Sequence, residues 1–439
     1  MARRRRKKLP TEPVAATIES LSHEGRGIAH IDGKTIFIDG ALPGEAVMFV
    51  YTSRRAKFDE GRTVEVTTPS SDRVQPPCPH FLVCGGCSLQ HMSSDAQLQL
   101  KQTVLHEQFR HLGGLEIENV LEPLTAKSTG YRRKARLGVR FVIKKDKLLV
   151  GFREKNSAYL TDMQSCIVLH ESVGLRIEDL QAIVRGMEAY QKIAQIEVAV
   201  GDNHTTLVFR NLVELSEADI ELLKNFSGQT GIHVWLQPKG PDTATPLWPA
   251  ESQLTYSLPE YDVNYEFSPT DFTQVNAELN KKMIKQAIDL LQLEQGSRVL
   301  DLFCGIGNFS LPLARQCEHV IGIEGSDALV ERARHNAQRN NIENVEYIAA
   351  DLTKEIPTAI KGIDRMLLDP PRSGALEVVS RMKELGPERL VYVSCNIATL
   401  ARDAGELVQN QGYKLLSAGI MDMFPHTAHV ESIAVFEKA

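Results

Sequence analysis

A chain of 439 residues with 42% hydrophobic content can build several cores, and aromatics at 6% make those cores mostly aliphatic. No apolar run is long enough to cross a bilayer. The basic start Arg3–Lys8 leads into Leu9-Pro10-Thr11-Glu12-Pro13 and not into an apolar stretch, so it does not read as a secretory signal and a cytoplasmic protein is expected; a monomer is expected as well.

A net charge of −6 hides an uneven distribution. Arg3 to Lys8 is an uninterrupted basic tail, and Tyr131 to Lys155 holds ten Lys or Arg against two acids, Asp146 and Glu154. An acidic chain that gathers its positive charge into patches is suited to a phosphate backbone. Seven cysteines, an odd number without a secretory signal, point to metal binding or catalysis and away from a disulfide framework.

Residues 14 to 68 read as all-β. Alternating runs at Val14 to Glu19, Thr35 to Ile38, Ala46 to Thr52 and Gly61 to Val66 are separated by turns such as Asp32-Gly33, Asp39-Gly40 and Leu42-Pro43-Gly44. Four or five strands suit a small OB-like barrel over residues 10–70, a shape often used to hold nucleic acid. His23-Glu24-Gly25-Arg26-Gly27-Ile28-Ala29 and Pro43-Gly44-Glu45 resemble the TRAM domain of RNA-modifying enzymes. Arg54, Arg55 and Lys57, on a loop between strands, favour RNA contact.

A central domain is expected over 71–267. It opens with Cys78, Cys84 and Cys87 in a Pro/Gly-rich loop, with five and then two residues between them. Cys166, 79 positions beyond Cys87, is the obvious fourth ligand. All-thiolate ligation suits zinc or an iron–sulfur cluster. Three clustered ligands and a remote fourth fit a four-iron cluster better than paired zinc knuckles. His80 and His91 are near enough to be alternative ligands and are left as surface or supporting residues. Asp95 to Leu112 has helical spacing. Ala135 to Phe141 and Leu148 to Phe152 form a basic hairpin, a plausible RNA surface. Residues 170 to 266 read as α+β, with helices over Glu171 to Tyr190 and Ser216 to Phe226, and Trp235 and Trp248 as core or support.

From Ser268 the pattern becomes a doubly wound α/β sheet over 268–439, entered by a helix that runs to about Leu291. Seven strands with the last two contiguous match the class I methyltransferase arrangement, whose final strand inserts antiparallel. Val299 to Phe309 is a strand, a glycine turn and a helix start. Its acid, Asp301, precedes the glycines, and Ser310 stands where a dinucleotide fingerprint would place a third glycine. Glu324 ends the next strand, where a carboxylate can accept from ribose hydroxyls, and Asp351 follows the third, near an adenine edge. This order predicts S-adenosylmethionine.

Asp369-Pro370-Pro371-Arg372-Ser373-Gly374 follows the fourth strand as a rigid lip. One strand later Val391-Tyr392-Val393-Ser394 runs into Cys395, with a helical pattern from Ile397. A thiol there is expected to be a nucleophile, with the helix start favouring its thiolate. Thiolate addition at uracil carbon 6 makes carbon 5 nucleophilic, and a base must then remove the carbon 5 proton. Glu431 is the preferred base and His429 the competitor, while His426 and His429 otherwise read as structural or RNA-contacting. The lip carries no second cysteine, which favours uracil over cytosine.

Asp271 to Asn276, Asp301 to Phe309, Asp369 to Gly374, Ser394-Cys395-Asn396 and His426 to Glu431 together resemble the RNA 5-methyluridine methyltransferases over nearly the whole chain. The presence of both barrel and cysteine loop resembles the branch that acts on 23S rRNA. The resemblance implies that Cys78, Cys84, Cys87 and Cys166 hold a [4Fe-4S] cluster. It also implies that Gln274, Phe303, Asn308, Glu324, Asp351 and Asp369 line the S-adenosyl-L-methionine site, and that 23S rRNA is the partner. The rivals are a uridine-5 methyltransferase of transfer RNA or another ribosomal site, and a non-catalytic RNA-binding protein.

Overall fold

The computed structural model describes residues 9–354, 357, 360 and 362–439. The basic run Arg3 to Lys8 lies outside them. The chain divides into two compact units. The first comprises residues 9–104, 153–159 and 424–429, and the second 105–152, 160–423 and 430–439.

In the first unit six strands form one sheet in the order β1-β5-β6-β4-β3-β2. They are β1 (Val14–Thr17), β2 (Ser20–Leu21), β3 (Gly27–Ile31), β4 (Lys34–Asp39), β5 (Ala46–Arg54) and β6 (Phe58–Thr68). The extra strands over the expected four or five are β2 and β3, too short or too Gly-rich to stand out by alternation. Ile18, Ala29, Ile36, Ile38, Val47 and Phe49 fill the inside. Gly61 is required there, because a Cβ would sit 2.4 Å from the Phe49 ring. The Pro43-Gly44-Glu45 turn has a physical reason. The Glu45 carboxylate, fully buried, accepts from Leu42 N, Ser70 N and the Arg73 guanidinium, so one acid ties the turn to the chain leaving the barrel. Helix α1 (Ser94–Gln108) follows.

The second unit contains two large sheets and a hairpin. The first sheet has the order β12-β11-β10-β9-β7-β8. Its elements in chain order are β7 (Lys134–Val142), β8 (Lys147–Gly151), α2 (Glu171–Gly174), α3 (Ile177–Gly186), β9 (Ile193–Val200), β10 (Thr205–Asn211), α4 (Glu217–Thr230), β11 (His233–Leu236) and β12 (Thr245–Trp248). The helix expected over Glu171 to Tyr190 is therefore broken in two. Gly174 packs so closely on Cys166 that a Cβ would lie 2.4 Å from its carbonyl, and the chain turns there before α3 starts. The hairpin pairs β13 (Leu254–Leu258) with β14 (Val263–Phe267).

The second large sheet follows α5 (Ala277–Leu291), which Asn276 caps by accepting from Leu279 N. Its order is β17-β16-β15-β18-β19-β21-β20. The elements are β15 (Arg298–Leu302), α6 (Ser310–Ala314), β16 (His319–Glu324), α7 (Asp327–Arg339), β17 (Val345–Ala349), β18 (Arg365–Leu368), α8 (Leu376–Val379), α9 (Met382–Leu385), β19 (Arg389–Ser394), α10 (Ile397–Gln409), β20 (Tyr413–Met421) and β21 (Glu431–Lys438). β15 to β19 are parallel, and β21 runs antiparallel between β19 and β20, as the strand pattern predicts. β18 and β19 are buried throughout, which explains their continuous apolar runs.

Candidate active site

Every residue of the reacting group lies at the carboxyl edge of the parallel strands, where an open α/β sheet binds its ligands. On the cofactor side β15 ends in a turn with three left-handed residues, Phe303 (φ 65°), Gly305 (φ 57°) and Gly307 (φ 88°). Phe303 is the only one of them to carry a side chain, in a conformation that costs about 1 kcal/mol or more outside glycine. Its N–H and that of Cys304 donate to the Ile323 carbonyl, which fixes the turn to β16. Glu324, ending β16, accepts from Gly305 N and Ser326 N at 3.1 Å each, so its carboxylate stands beside the glycines. Asp301 is fully buried and accepts from Ser310 Oγ at 2.5 Å. Burial pushes its carboxyl up to about 7, with the charges of Asp369 and Glu324 adding to the effect.

The other expected cofactor residues are placed less uniformly. The Asn308 amide exchanges hydrogen bonds with Asn280 and accepts from the Tyr256 hydroxyl at 2.9 Å, so it braces the turn from behind. Gln274 lines a recess with Arg133, Asp202, Tyr256 and Lys281. Asp351 is exposed on the loop after β17. Hydrogen bonds from Lys354 and Thr353 hold its carboxyl down at about 2.

On the reaction side Asp369 follows β18, its N–H donating to Leu302 O, and burial raises its carboxyl to about 7. Cys395 follows β19. The antiparallel pair Ser394↔Ser432 brings the next positions, Cys395 and Glu431, to facing places at the end of the ladder. Glu431 is 6% exposed, and burial together with Asp369 raises its carboxyl to about 8, against the pull of Arg372.

The thiol differs from the sequence expectation. Burial, then the carboxylates of Glu431 and Asp369, push Cys395 up to about 11. Only the Arg372 guanidinium opposes this rise from outside the residue's own backbone. The thiol therefore rests protonated.

Sequence reading passes over the residues that hold this arrangement. Asp403 on α10, fully buried, accepts from Ala375 N at 2.8 Å and from the Tyr392 hydroxyl at 2.7 Å, and pairs with Arg402. Its signal is present in the sequence, since an acid at helical spacing between Leu400 and Leu407 lies on the apolar stripe.

The cysteine loop belongs to the first unit. Cys84 N donates to His80 O at 2.8 Å, and Gly86 N points at the Cys84 sulfur at 3.4 Å, a donor that favours a thiolate. Three thiols in one loop are the donor chemistry that a soft cluster needs. His91, a possible substitute ligand, is buried against Phe81 and pushed down to about 4 by burial. Cys166 is buried in the second unit, its N–H donating to Gly174 O. Among the described residues no three His, Cys, Asp or Glu side chains are grouped around one metal-ion position.

His426 and His429 fall in the first unit. The His426 carbonyl accepts from Ser88 N and Leu89 N, and the His429 ring packs on Phe424. The basic hairpin is partly neutralised, since Lys134 and Arg136 both lie within ion-pair distance of Glu197. Arg54 and Arg55 likewise pair with Asp59 and Glu60. No helix among the described residues is long and apolar enough to span a membrane.

The TRAM domain profile matches residues 10–48. The chain is 55% identical over 439 residues to the 23S rRNA (uracil(1939)-C(5))-methyltransferase RlmD of Alkalilimnicola ehrlichii, with 99% of each chain covered. It is 53% identical over 445 residues to that of Hahella chejuensis, covering 99% of this chain and 100% of the relative. The Pyrococcus abyssi tRNA (uracil-54, C5)-methyltransferase, solved with S-adenosyl-L-homocysteine, shares the fold at a TM-score of 0.73 and 24% identity, over 96% of this chain and 100% of that one. The profile described as tRNA (Uracil-5-)-methyltransferase matches residues 93–439, and with the close relatives this establishes that the chain belongs to the uracil-5-methyltransferase family.

Proposed function

We propose that this protein methylates carbon 5 of one uridine in 23S rRNA, the position named uracil 1939 in its relatives. The observation that carries the chemistry is the facing of Cys395 and Glu431 across the end of the β19–β21 ladder, beside Asp369 and the glycine turn. The choice of ribosomal over transfer RNA rests on full-length likeness above 50% identity to enzymes of that name.

Cys395 adds its sulfur to carbon 6, and the ring electrons move to O4 as an enolate, so that carbon 5 becomes the nucleophile. Bound S-adenosyl-L-methionine supplies an electrophilic methyl group on a sulfonium sulfur. Glu431 then takes the proton from carbon 5. The electron pair re-forms the C5–C6 double bond and the Cys395 sulfur leaves as a thiolate. A carboxyl raised to about 8 is a strong base once ionised. Because burial, above all, disfavours the resting thiolate, ionisation of Cys395 belongs to the substrate-bound state, where the target base has left its stack.

Glu324 would accept from the ribose of the methyl donor, with Gln274, Phe303, Asn308, Asp351 and Asp369 around the rest. Cys78, Cys84, Cys87 and Cys166 would ligate a [4Fe-4S] cluster of structural role, supplying four thiolates and no reaction step. Residues 10–70 and 71–267 would serve to select and present RNA to the segment 268–439.

The test uses RNA with 5-fluorouridine at the target, which has no proton for Glu431 to remove. The full-length protein should form a covalent adduct with the 23S segment and not with transfer RNA, and Cys395→Ala should form none. A wild-type protein that methylates without ever forming the adduct refutes the mechanism. Preference for transfer RNA refutes the target. Iron and sulfide content of the purified protein tests the cluster.

A further inference from the structure

The second unit carries a cationic and aromatic patch that none of the reacting residues uses. The β7–β8 hairpin ends in Ile143-Lys144-Lys145-Asp146. Ile143 is 80% exposed, and both lysines are exposed with no acid at ion-pair distance among the described residues. This separates the tip from the strand face of the same hairpin, where Glu197 already neutralises Lys134 and Arg136. Beside the tip, Phe141 meets Tyr190 edge to face, with ring centroids 5.1 Å apart. The Arg185 guanidinium lies over both rings, 4.9 Å from Phe141 and 4.6 Å from Tyr190. Its side chain nonetheless stays 43% exposed, and Asp146 holds one edge at 3.2 Å.

Such an arrangement is unusual for a merely solvated face. Packing against both rings holds the Arg185 guanidinium in place, so its exposed part loses little freedom when a base stacks on it. Lys192, exposed in the short turn that Tyr190 opens, extends the positive rim. Apolar and planar groups set among unpaired lysines match single-stranded RNA, which offers a stacking face and a phosphate at every nucleotide.

We infer that Arg185, Tyr190 and the hairpin tip at Ile143, Lys144 and Lys145 form a secondary RNA-binding surface for an unpaired segment flanking the target uridine. This rests on the reading of the protein as a 23S rRNA methyltransferase. The lysines and Lys192 neutralise phosphates, while Arg185 and Ile143 meet an unstacked base. No covalent step is involved.

The experiment compares two transcripts of the 23S segment around the target, one with long flanks and one trimmed to the shortest length that wild-type protein methylates. The full-length variants are Lys144→Ala/Lys145→Ala, Arg185→Ala and Arg185→Lys. On the long transcript the double variant should raise KM about tenfold and flatten the salt dependence of log K by about 1.4, near 0.7 for each single-strand phosphate no longer neutralised. On the trimmed transcript the variants should match wild type. Arg185→Lys should keep the salt slope yet bind the long transcript as weakly as Arg185→Ala, because an ammonium lacks the planar face. If wild type methylates the long transcript and the variants share its KM and salt slope, the inference is overturned and the functional reading stands. If wild type methylates no 23S transcript around the target, of any length, the functional reading falls and the inference with it.

Discussion

The side-chain amide of Asn396 donates to the backbone carbonyl of Arg372 at 2.9 Å, so the residue after the thiol grips the residue that supplies the site's cation. Thr399 reaches the same carbonyl, and Arg402 donates to Ser373 O at 3.0 Å. Asp403 completes the fastening through Ala375 N and the Tyr392 hydroxyl. One helix thereby holds the lip against the strand that presents Cys395. Asp403→Ala would leave a buried N–H and a buried O–H unpaired, at about 1–3 kcal/mol each. We expect roughly 3 kcal/mol lower stability by urea unfolding, with a slower rate of adduct formation on 5-fluorouridine RNA. Asp403→Asn, which keeps an acceptor, should recover part of both. An unfolding midpoint equal to wild type for Asp403→Ala would rule this role out.

Arg372 is the cation that offsets the carboxylates around the thiol. It lowers both Cys395 and Glu431, against burial and against Asp369. Removing it as Arg372→Gln should therefore raise both groups further. Activity needs an ionised Glu431 and a thiolate, so the rising limb of the pH–rate profile should move to higher pH, with kcat/KM at pH 7 falling about tenfold or more. Measuring the profile from pH 6 to 10 checks the direction. A limb that stays in place, or moves to lower pH, would show that Arg372 does not set these charges.

What was legible follows from which forces act locally. The strand–helix alternation after Ser268, the inserted last strand and the acid-then-glycine turn are short-range patterns, and each appears where the residues put it. Glu45 was readable only as part of a TRAM-like motif, because its buried ion pair with Arg73 spans 28 positions. The protonated state of Cys395 was not legible at all. The local signal, a helix start, favours thiolate, whereas the opposing causes are burial, the largest, and then Glu431 and Asp369 on other strand ends. Charge neutralisation within the basic hairpin was hidden for the same reason, since Glu197 sits on the neighbouring strand β9. Distance in sequence, more than ambiguity of pattern, marks where the reading stopped.

Gly307 tests the cofactor turn. Its φ of 88° is left-handed, and a Cβ would stand 2.5 Å from the buried Tyr347 hydroxyl. Gly307→Ala thus adds backbone strain of about 1–2 kcal/mol and pushes the turn off Tyr347. Calorimetric binding of S-adenosylhomocysteine should weaken at least about tenfold, the factor that 1.4 kcal/mol represents. Gly305→Ala provides the contrast, since a Cβ there meets nothing within 4 Å and only the φ of 57° is strained. Equal affinities for wild type and Gly307→Ala would mean that the turn does not contact the methyl donor.

Glu431 should also set a pH-dependent limit on stability. Its carboxyl rises from 4.5 to about 8 on folding, chiefly because burial penalises the charged form, with Asp369 adding to the rise. The unfolded chain therefore releases a proton more readily than the folded one between those values. A raised carboxyl contributes stability that is fully present below pH 4.5 and is lost as pH climbs through about 8. Glu431→Gln removes this titration while keeping nearly the same shape. The variant should match wild type near pH 4 and exceed it by several kcal/mol at pH 9, with a ceiling of about 5 kcal/mol set by a rise from 4.5 to about 8 at 1.4 kcal/mol per unit. The same variant cannot take the carbon 5 proton, so it should accumulate a methylated covalent adduct with ordinary uridine RNA, where wild type turns over. Urea unfolding at the two pH values and gel analysis of the adduct read the two effects separately. A stability difference that shrinks as pH rises would contradict the burial of a charge at this position. Normal turnover by Glu431→Gln would assign the base to another residue.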